Sequence, residues 1–113
     1  MNEQEFKNEC IKFYTTIKER LLILIKEEGV ILQQHLAMNV IDQEYSVFDE
    51  QYKFYINILL KELEEKKLIK RMRTEEFYDT YKDDRFSKYS KMNNVIVYSG
   101  WVRRERIKKL LSE

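Results

Sequence analysis

The sequence predicts one mainly helical domain with a small β-hairpin, a long N-terminal helix and a basic C-terminal helix. A chain of 113 residues has the length of a single domain, so residues 1–113 are expected to fold as one unit. It contains no Pro and two Gly, which leaves few helix breakers and disfavours a many-turned β fold. Hydrophobic residues make up 43% of the chain, which is enough for a core.

The first helix is predicted over residues 3–28, and Gly29 is suited to end it. Further apolar residues at Ile11, Phe13, Leu22 and Ile23 widen its apolar surface. Two interpretations stay open: the helix is central to the core, or it also packs against a second copy of the chain. The residues that keep helical spacing are Phe6, Cys10, Tyr14, Ile17, Leu21, Leu24 and Ile25.

A helix-turn-helix is predicted over residues 32–67. After a short strand at Val30-Ile31, the stretch LQQHLAMNVI is typical of a short helix, and a polar turn leads to Ser46. Ser46 and Asp49 have the spacing of a capping box, which starts a long helix. The predicted buried face of that helix carries Tyr52, Ile56, Leu59 and Leu63.

The opposite face of the long helix is expected to carry Glu50, Phe54, Asn57 and Lys61, with Lys53 on its flank. Asn can pair with adenine, Lys can reach guanine or phosphate, and Phe can contact a thymine methyl group. This combination predicts a helix that enters the major groove of DNA. The alternative is that Phe54 packs on the preceding helix or on a partner protein.

Residues 68–99 are expected to form a wing, a hairpin of two strands. The first strand follows Leu68-Ile69 and carries Arg71 and Arg73, which are expected to contact DNA. The return strand is Asn94–Ser99, rich in β-forming residues. A helix that leads directly into a basic strand is the local form of a winged helix-turn-helix. The predicted wing tip interleaves cations with aromatic residues, a pattern suited to phosphates and bases, although a flexible polar loop is the alternative. The tip cations are Lys82, Arg85, Lys88 and Lys91, and the aromatic residues are Tyr81, Phe86 and Tyr89.

The last helix is predicted over residues 101–112, with the apolar side chains of Trp101, Ile107, Leu110 and Leu111 facing the body of the domain. Its five cations would then face outward and either follow a phosphate backbone or solubilise a helix that forms a dimer interface. These cations are Arg103, Arg104, Arg106, Lys108 and Lys109.

Charge is divided unevenly along the chain. Residues 1–50 carry five Lys/Arg and ten Asp/Glu, a net charge of −5, whereas residues 51–113 carry sixteen and ten, a net charge of +6. This division favours a basic face that meets a polyanion, with an ordinary mixed surface as the alternative.

Three segments resemble the MarR, SarA-like and PadR groups of small bacterial winged-helix regulators: Leu59–Met72, Asp83–Arg85 and Val95–Ser99. Leu60, Leu63, Leu68 and Ile69 match the leucine pattern that ends the recognition helix in those families. The resemblance implies that Arg85 enters the minor groove and that Asp83 orients it. Two stretches are longer than in that pattern: Arg73–Asp79 and the residues between Arg85 and Asn94. An elongated wing of this kind is similar to those of plasmid or mobile-element winged-helix proteins, which act in partition, transfer or replication.

Nothing in the sequence indicates catalysis. It has no Gly-rich phosphate loop, no nucleophile elbow and a single His and Cys, so an enzyme, a metal site and a cofactor are not expected. One Cys fits a reducing cytoplasm, and no apolar run is long enough for a membrane. The sequence therefore predicts a cytoplasmic homodimer that binds double-stranded DNA, most simply as a sequence-specific transcriptional regulator. The alternatives are a plasmid accessory protein, a winged-helix adaptor or inhibitor of another protein, and a single-strand-binding protein.

Overall fold

A computed structural model describes residues 3–40 and 49–112, which form helices around a small antiparallel sheet. The predicted class, mainly helical with a small β component, is confirmed. In chain order the elements are α1 (Glu3–Glu28), β1 (Val30–Leu32), α2 (Gln33–Val40), α3 (Asp49–Glu65), β2 (Ile69–Arg73), α4 (Thr74–Tyr81), β3 (Asn94–Tyr98) and α5 (Ser99–Ser112).

The sheet has the strand order β1-β3-β2, and both pairs are antiparallel. Val95, Ile96 and Val97 of the central strand β3 are all buried, so both faces of the sheet are covered. Alternate residues of a strand point to opposite faces, and two apolar clusters result. The first cluster joins one sheet face to α1, α2 and α3 through Ile31, Ile69 and Ile96. The second joins the other face to α4 and α5 through Val30, Leu32, Met72, Val95, Val97, Phe77 and Trp101.

Helix α1 has the predicted bounds and buries Ile17, Leu21 and Ile25. Gly29 ends it: its φ is 75°, and its N–H donates to the carbonyl of Ile25 at 2.8 Å. A Cβ atom at Gly29 would lie 2.6 Å from the Trp101 ring, so glycine is needed here for close packing as well as for its backbone angle. The side chains of Phe6, Cys10 and Tyr14 lie outside the described set. Ile23 is 56% exposed, so part of the wide apolar surface stays uncovered in one chain.

Helix α3 buries Ile56, Leu59 and Leu63 as predicted, and Leu60 as well. The proposed capping box at Ser46 and the side chain of Tyr52 lie outside the described residues. The helix ends at Glu65 in a Schellman motif. In this motif the N–H of Leu68 donates to the carbonyl of Leu63 at 3.0 Å and that of Lys67 to Glu64 at 2.9 Å. Lys67 has a φ of 60°, the left-handed conformation that usually selects glycine.

The predicted wing is not a simple hairpin. Strands β2 and β3 do pair, but α4 follows β2 directly, and residues 82–93 then return to β3. The helix was missed although its signals are local: Glu75 and Glu76 lie in its first turn, where negative charge suits the helix dipole. Phe77 and Tyr81 are four residues apart and therefore share a face. Phe77 is completely buried on the sheet. The connection between β2 and β3, residues 74–93, therefore covers the second sheet face rather than projecting into solvent.

The C-terminal helix begins at Ser99, two residues earlier than expected and directly after β3 ends at Tyr98. The N–H of Ser99 donates to the carbonyl of Leu68 at 2.9 Å, which ties the start of α5 to the end of the Schellman turn. The prediction that its apolar residues face the body holds only for Trp101, which is 9% exposed. Ile107, Leu110 and Leu111 are 55%, 72% and 83% exposed. The apolar side chains at the end of α5 are therefore left uncovered by the rest of the chain that the structure describes.

Candidate nucleic-acid interface

Helix α3 presents the predicted outward face. Its buried side anchors it to the first apolar cluster, and the opposite side leaves Lys53 and Lys61 exposed and Phe54 62% exposed. A large aromatic side chain that is exposed between two lysines has the composition of a contact surface. These three side chains are free of any hydrogen bond or ion pair to the residues that the structure describes.

Asn57 and Arg71, both predicted from the sequence to contact DNA, bind each other in the structure. The Nη1 of Arg71 donates to Oδ1 of Asn57 at 2.7 Å. The same guanidinium binds Oε1 of Glu64 at 2.5 Å through both Nε and Nη2. Arg71 projects from β2 on the sheet face beneath α3, so this network fastens the helix to the strand. The acceptor of Asn57, which adenine recognition would need, is thereby occupied.

Arg73 is exposed, and its Nη1 donates to the carbonyl of Met92. Since Arg73 ends β2 and Met92 lies just before β3, this bond closes the two ends of the connection. Thr74 makes a similar link, because its hydroxyl lies 3.5 Å from the carbonyl of Ser90. Both bonds hold the connection to the sheet.

The aromatic residues of the expected wing tip pack inward. Tyr81 and Phe86 contact the ring of Phe77 at centroid distances of 5.1 and 5.2 Å, and Tyr89 meets the ring of His35 on α2 at 5.4 Å. All three are partly buried against the second cluster. The prediction that they are presented to bases is therefore corrected, because their apolar area is used to cover the sheet.

The cations of the same segment remain on the surface beside these rings. The Nζ atoms of Lys82 and Lys88 lie 5.9 and 5.4 Å from the ring centres of Tyr78 and Tyr89. Lys91 lies 3.8 Å from the carboxylate of Glu75, and both side chains are highly exposed. Contacts of this kind contribute little in water, so the three ammonium groups can still exchange partners.

Asp83 and Arg85 form the pair that the family resemblance implies. The Nη2 of Arg85 lies 2.7 Å from Oδ2 of Asp83, and the backbone N–H of Arg85 donates to Oδ1 at 3.0 Å. Hydrogen bonding from Arg85 lowers the pKa of the Asp83 carboxyl below its ordinary value, so the carboxylate stays charged. The guanidinium carbon is 5.8 Å from the ring centre of Trp101. Asp83 thus holds Arg85, with its guanidinium beside the ring of Trp101.

Arg103 and Arg104 are exposed near the start of α5. The twelve residues selected from the sequence as DNA contacts do not form one cluster; they are Lys53, Phe54, Asn57, Lys61, Arg71, Arg73, Lys82, Arg85, Lys88, Lys91, Arg103 and Arg104. Those of α3 lie on one side of the sheet, and those of the connection and α5 lie on the other.

Four cations outside the selected set line a cleft together with Arg103: Lys67, Lys70, Arg106 and Lys109. Only their charge marked them in the sequence, because the cleft combines residues from distant segments.

Comparisons of the chain with protein-family models, with curated proteins and with solved structures found no match. Across residues 3–40 and 49–112, no three His, Cys, Asp or Glu side chains converge in a way that could hold a metal ion. Within the same residues, no helix combines the length and the apolar character required to cross a bilayer.

Proposed function

We propose that the protein is a winged-helix protein that binds duplex DNA as a homodimer in the cytoplasm, with α3 as the recognition helix. The helix order and the β1-β3-β2 antiparallel sheet fit that architecture. The observation that carries the proposal is the outward face of α3, where Lys53, Phe54 and Lys61 are exposed on a helix fixed by its other face. A rigid helix with such a face suits the major groove, where position and hydrogen bonding decide specificity.

The Arg71 network supports this role by limiting the movement of α3 relative to the sheet. A recognition helix must hold its side chains in register with successive base pairs, and a charged bond to β2 contributes to that. Arg71 and Asn57 then act in positioning α3. If Asn57 also reads a base, its side chain must give up the hydrogen bond with Arg71 and bind the base when DNA binds.

The proposed dimer is supported by the end of α5. Ile107, Leu110 and Leu111 are largely exposed in one chain, although such residues are usually covered. A second copy that packs on this face would bury them and place two α3 helices on a repeated site. The basic residues of α5 would then lie beside the interface.

The function is tested by fluorescence anisotropy with labelled duplexes over a salt series. Lys53→Ala and Lys61→Ala should each weaken binding. For every phosphate that a variant no longer neutralises, the slope of log affinity against log salt should fall by about 0.9. Lys26→Ala removes an exposed lysine of α1 and serves as the matched control. Equal effects of all three substitutions would reject α3 as the contact surface.

Specificity and the wing are tested in the same assay. Asn57→Ala should reduce discrimination between sites by about 1–3 kcal/mol if the amide reads a base, whereas equal losses on specific and random DNA would leave it a positioning residue. Replacing both Arg85 and Lys88 by Ala should weaken binding and flatten its salt dependence if the connection contacts the backbone. An unchanged affinity and slope would remove the connection from the interface.

Assembly is tested by analytical ultracentrifugation. Replacing Leu110 and Leu111 by Asp should convert the dimer to monomers and weaken binding to a repeated site. Met38 is 75% exposed on α2, so Met38→Asp controls for the loss of an exposed apolar side chain elsewhere. A wild-type chain that sediments as a monomer at micromolar concentration would contradict the dimer.

The second candidate is an adaptor or inhibitor that binds another protein. It is favoured by the exposed aromatic ring of Phe54 and by the packing of the connection, which leaves no projecting wing among the described residues. Phe54→Ala would then abolish a protein complex. No measurable binding to single- or double-stranded DNA at low salt would favour this candidate over the first.

A further inference from the structure

A cleft of about 1000 Å³ lies between α5 and the edge of the domain formed by the end of α3, the start of β2 and the end of α4. Its walls come from segments far apart in the sequence, from Glu64 to Lys109. The volume is at the upper end of the range for small-molecule sites. The exposed face of α3 is built from another part of that helix, since neither Lys53, Phe54 nor Lys61 lines the cleft.

The cleft is lined by five cations: Lys67, Lys70, Arg103, Arg106 and Lys109. None of them has an ion-pair partner among residues 3–40 and 49–112. They approach from two sides, because Lys67 and Lys70 belong to the α3–β2 wall and the other three to α5. Like charges that face each other across a concavity repel one another and raise the local concentration of anions.

Three carboxylates also line the cleft, but each is bound by a cation that does not. Glu64 is held by Arg71 at 2.5 Å and Asp83 by Arg85 at 2.7 Å. Glu105 is held by Lys108 at 3.3 Å. Neither Arg71, Arg85 nor Lys108 lines the cleft. The outside cations therefore offset the acidic charge, and the five lining cations are left to act on an occupant of the cleft.

The cleft also contains the rings of Tyr81 and Trp101. Burial raises the pKa of the Tyr81 phenol, and the positive charge of Arg106 acts in the opposite direction. The phenol is therefore protonated at neutral pH and can donate a hydrogen bond to a phosphate oxygen. The aromatic rings give the cleft an apolar floor beneath its basic rim.

We propose that this cleft binds a small phosphate-bearing ligand with two or more phosphate groups, through the cations of the α3–β2 wall and α5. The inference does not depend on DNA binding. A compact polyanion can enter a concave site and contact both walls at once, whereas a rigid duplex would meet only the rim. Free polyphosphate and the phosphate chain of a nucleotide offer the same chemistry.

The site has a built-in reporter, because Trp101 is the single tryptophan of the chain and lies in the cleft. Its fluorescence is followed during titration of the full chain with inorganic tripolyphosphate, and isothermal titration calorimetry gives the stoichiometry. Saturable binding of one tripolyphosphate per chain is expected. ATP and adenosine are titrated in parallel, and tighter binding of ATP than of tripolyphosphate would identify a nucleotide rather than free polyphosphate as the source.

The decisive comparison uses two double variants that remove the same charge. Replacing Lys70 and Arg106 by Ala should lower the affinity for tripolyphosphate about tenfold or more, since removal of one charged hydrogen bond is enough for that change. Replacing Lys26 and Lys66 by Ala removes two exposed lysines outside the cleft and should leave the affinity within about twofold. The exchange of Lys70→Arg with Arg106→Lys keeps both charges and should retain binding.

Absence of saturable binding, or equal losses in the two double variants, would overturn the proposal. The proposal would also be overturned if duplex DNA competed with tripolyphosphate and the Lys70 and Arg106 double variant lost affinity for both to the same extent. In that case the cleft would be part of a DNA-backbone contact. Failure of the DNA-binding proposal is separate, because it is measured on Lys53 and Lys61 variants without tripolyphosphate.

Discussion

Phe77→Ala separates a connection that is folded onto the sheet from one that projects as a mobile wing. Phe77 is completely buried, and its ring packs against those of Tyr81, Phe86 and Trp101 at 5.1, 5.2 and 6.0 Å. Truncation of a buried Phe costs about 3–5 kcal/mol, since transfer energy is lost and a cavity remains. At an exposed wing the same change costs less than about 0.5 kcal/mol.

The assay is equilibrium unfolding in urea, followed by both circular dichroism and Trp101 fluorescence. With a slope of about 1–3 kcal/mol per molar urea, a destabilisation of about 3 kcal/mol lowers the midpoint by at least about 1 M. Tyr78→Ala on the same helix is the control, because Tyr78 is 45% exposed and contributes mainly a cation–π contact with Lys82. Its expected cost is less than about 1 kcal/mol.

Phe77→Leu gives a second point that does not depend on the survival of the Ala variant. Leucine keeps most of the apolar volume but cannot make the ring–ring interactions, each about 0.5–1.5 kcal/mol, so an intermediate decrease in stability is expected. If Phe77→Ala and Tyr78→Ala cost the same small amount, α4 does not cover the sheet. The packing of α4 on the sheet in the second apolar cluster would then be contradicted.

Three further predictions address single contacts. The carboxyl pKa of Asp83, measured by NMR, should be lower than the ordinary Asp value and should rise in Arg85→Ala. At pH values above the ordinary Asp pKa, the pair then stabilises the fold. This contribution disappears as the pH falls through the lowered pKa of Asp83. Lys67→Gly should raise the free energy of unfolding by about 0.5 kcal/mol, because relief of the left-handed backbone exceeds the added entropy of the unfolded chain; a decrease would contradict that conformation. In a double-mutant cycle in urea, Asn57→Ala and Arg71→Ala should couple by about 0.5–3 kcal/mol, and additive effects would show that their hydrogen bond contributes nothing.

The sequence determined the elements whose signals are local. Helical spacing gave α1 its bounds and the buried face of α3, and the run of β-forming residues gave β3. The exposure of Phe54 also followed from spacing alone, because a residue's face on a helix depends only on its position. The pairing of Asp83 with Arg85 could be anticipated from the motif, since the two residues are only two positions apart.

The tertiary structure alone decided which partner each side chain meets. The pattern of alternating aromatic residues and cations at 79–91 is compatible both with a wing that binds nucleic acid and with a segment that packs on an apolar sheet. The sheet decided between them, because one face of β3 would otherwise expose Val95 and Val97 to water. Arg71 likewise appears in the sequence as one of several strand cations, and only the approach of α3 over β2 gives it Glu64 as a partner. The basic cleft depends on the same long-range placement, since separation along the chain carries no information about which charges will face each other.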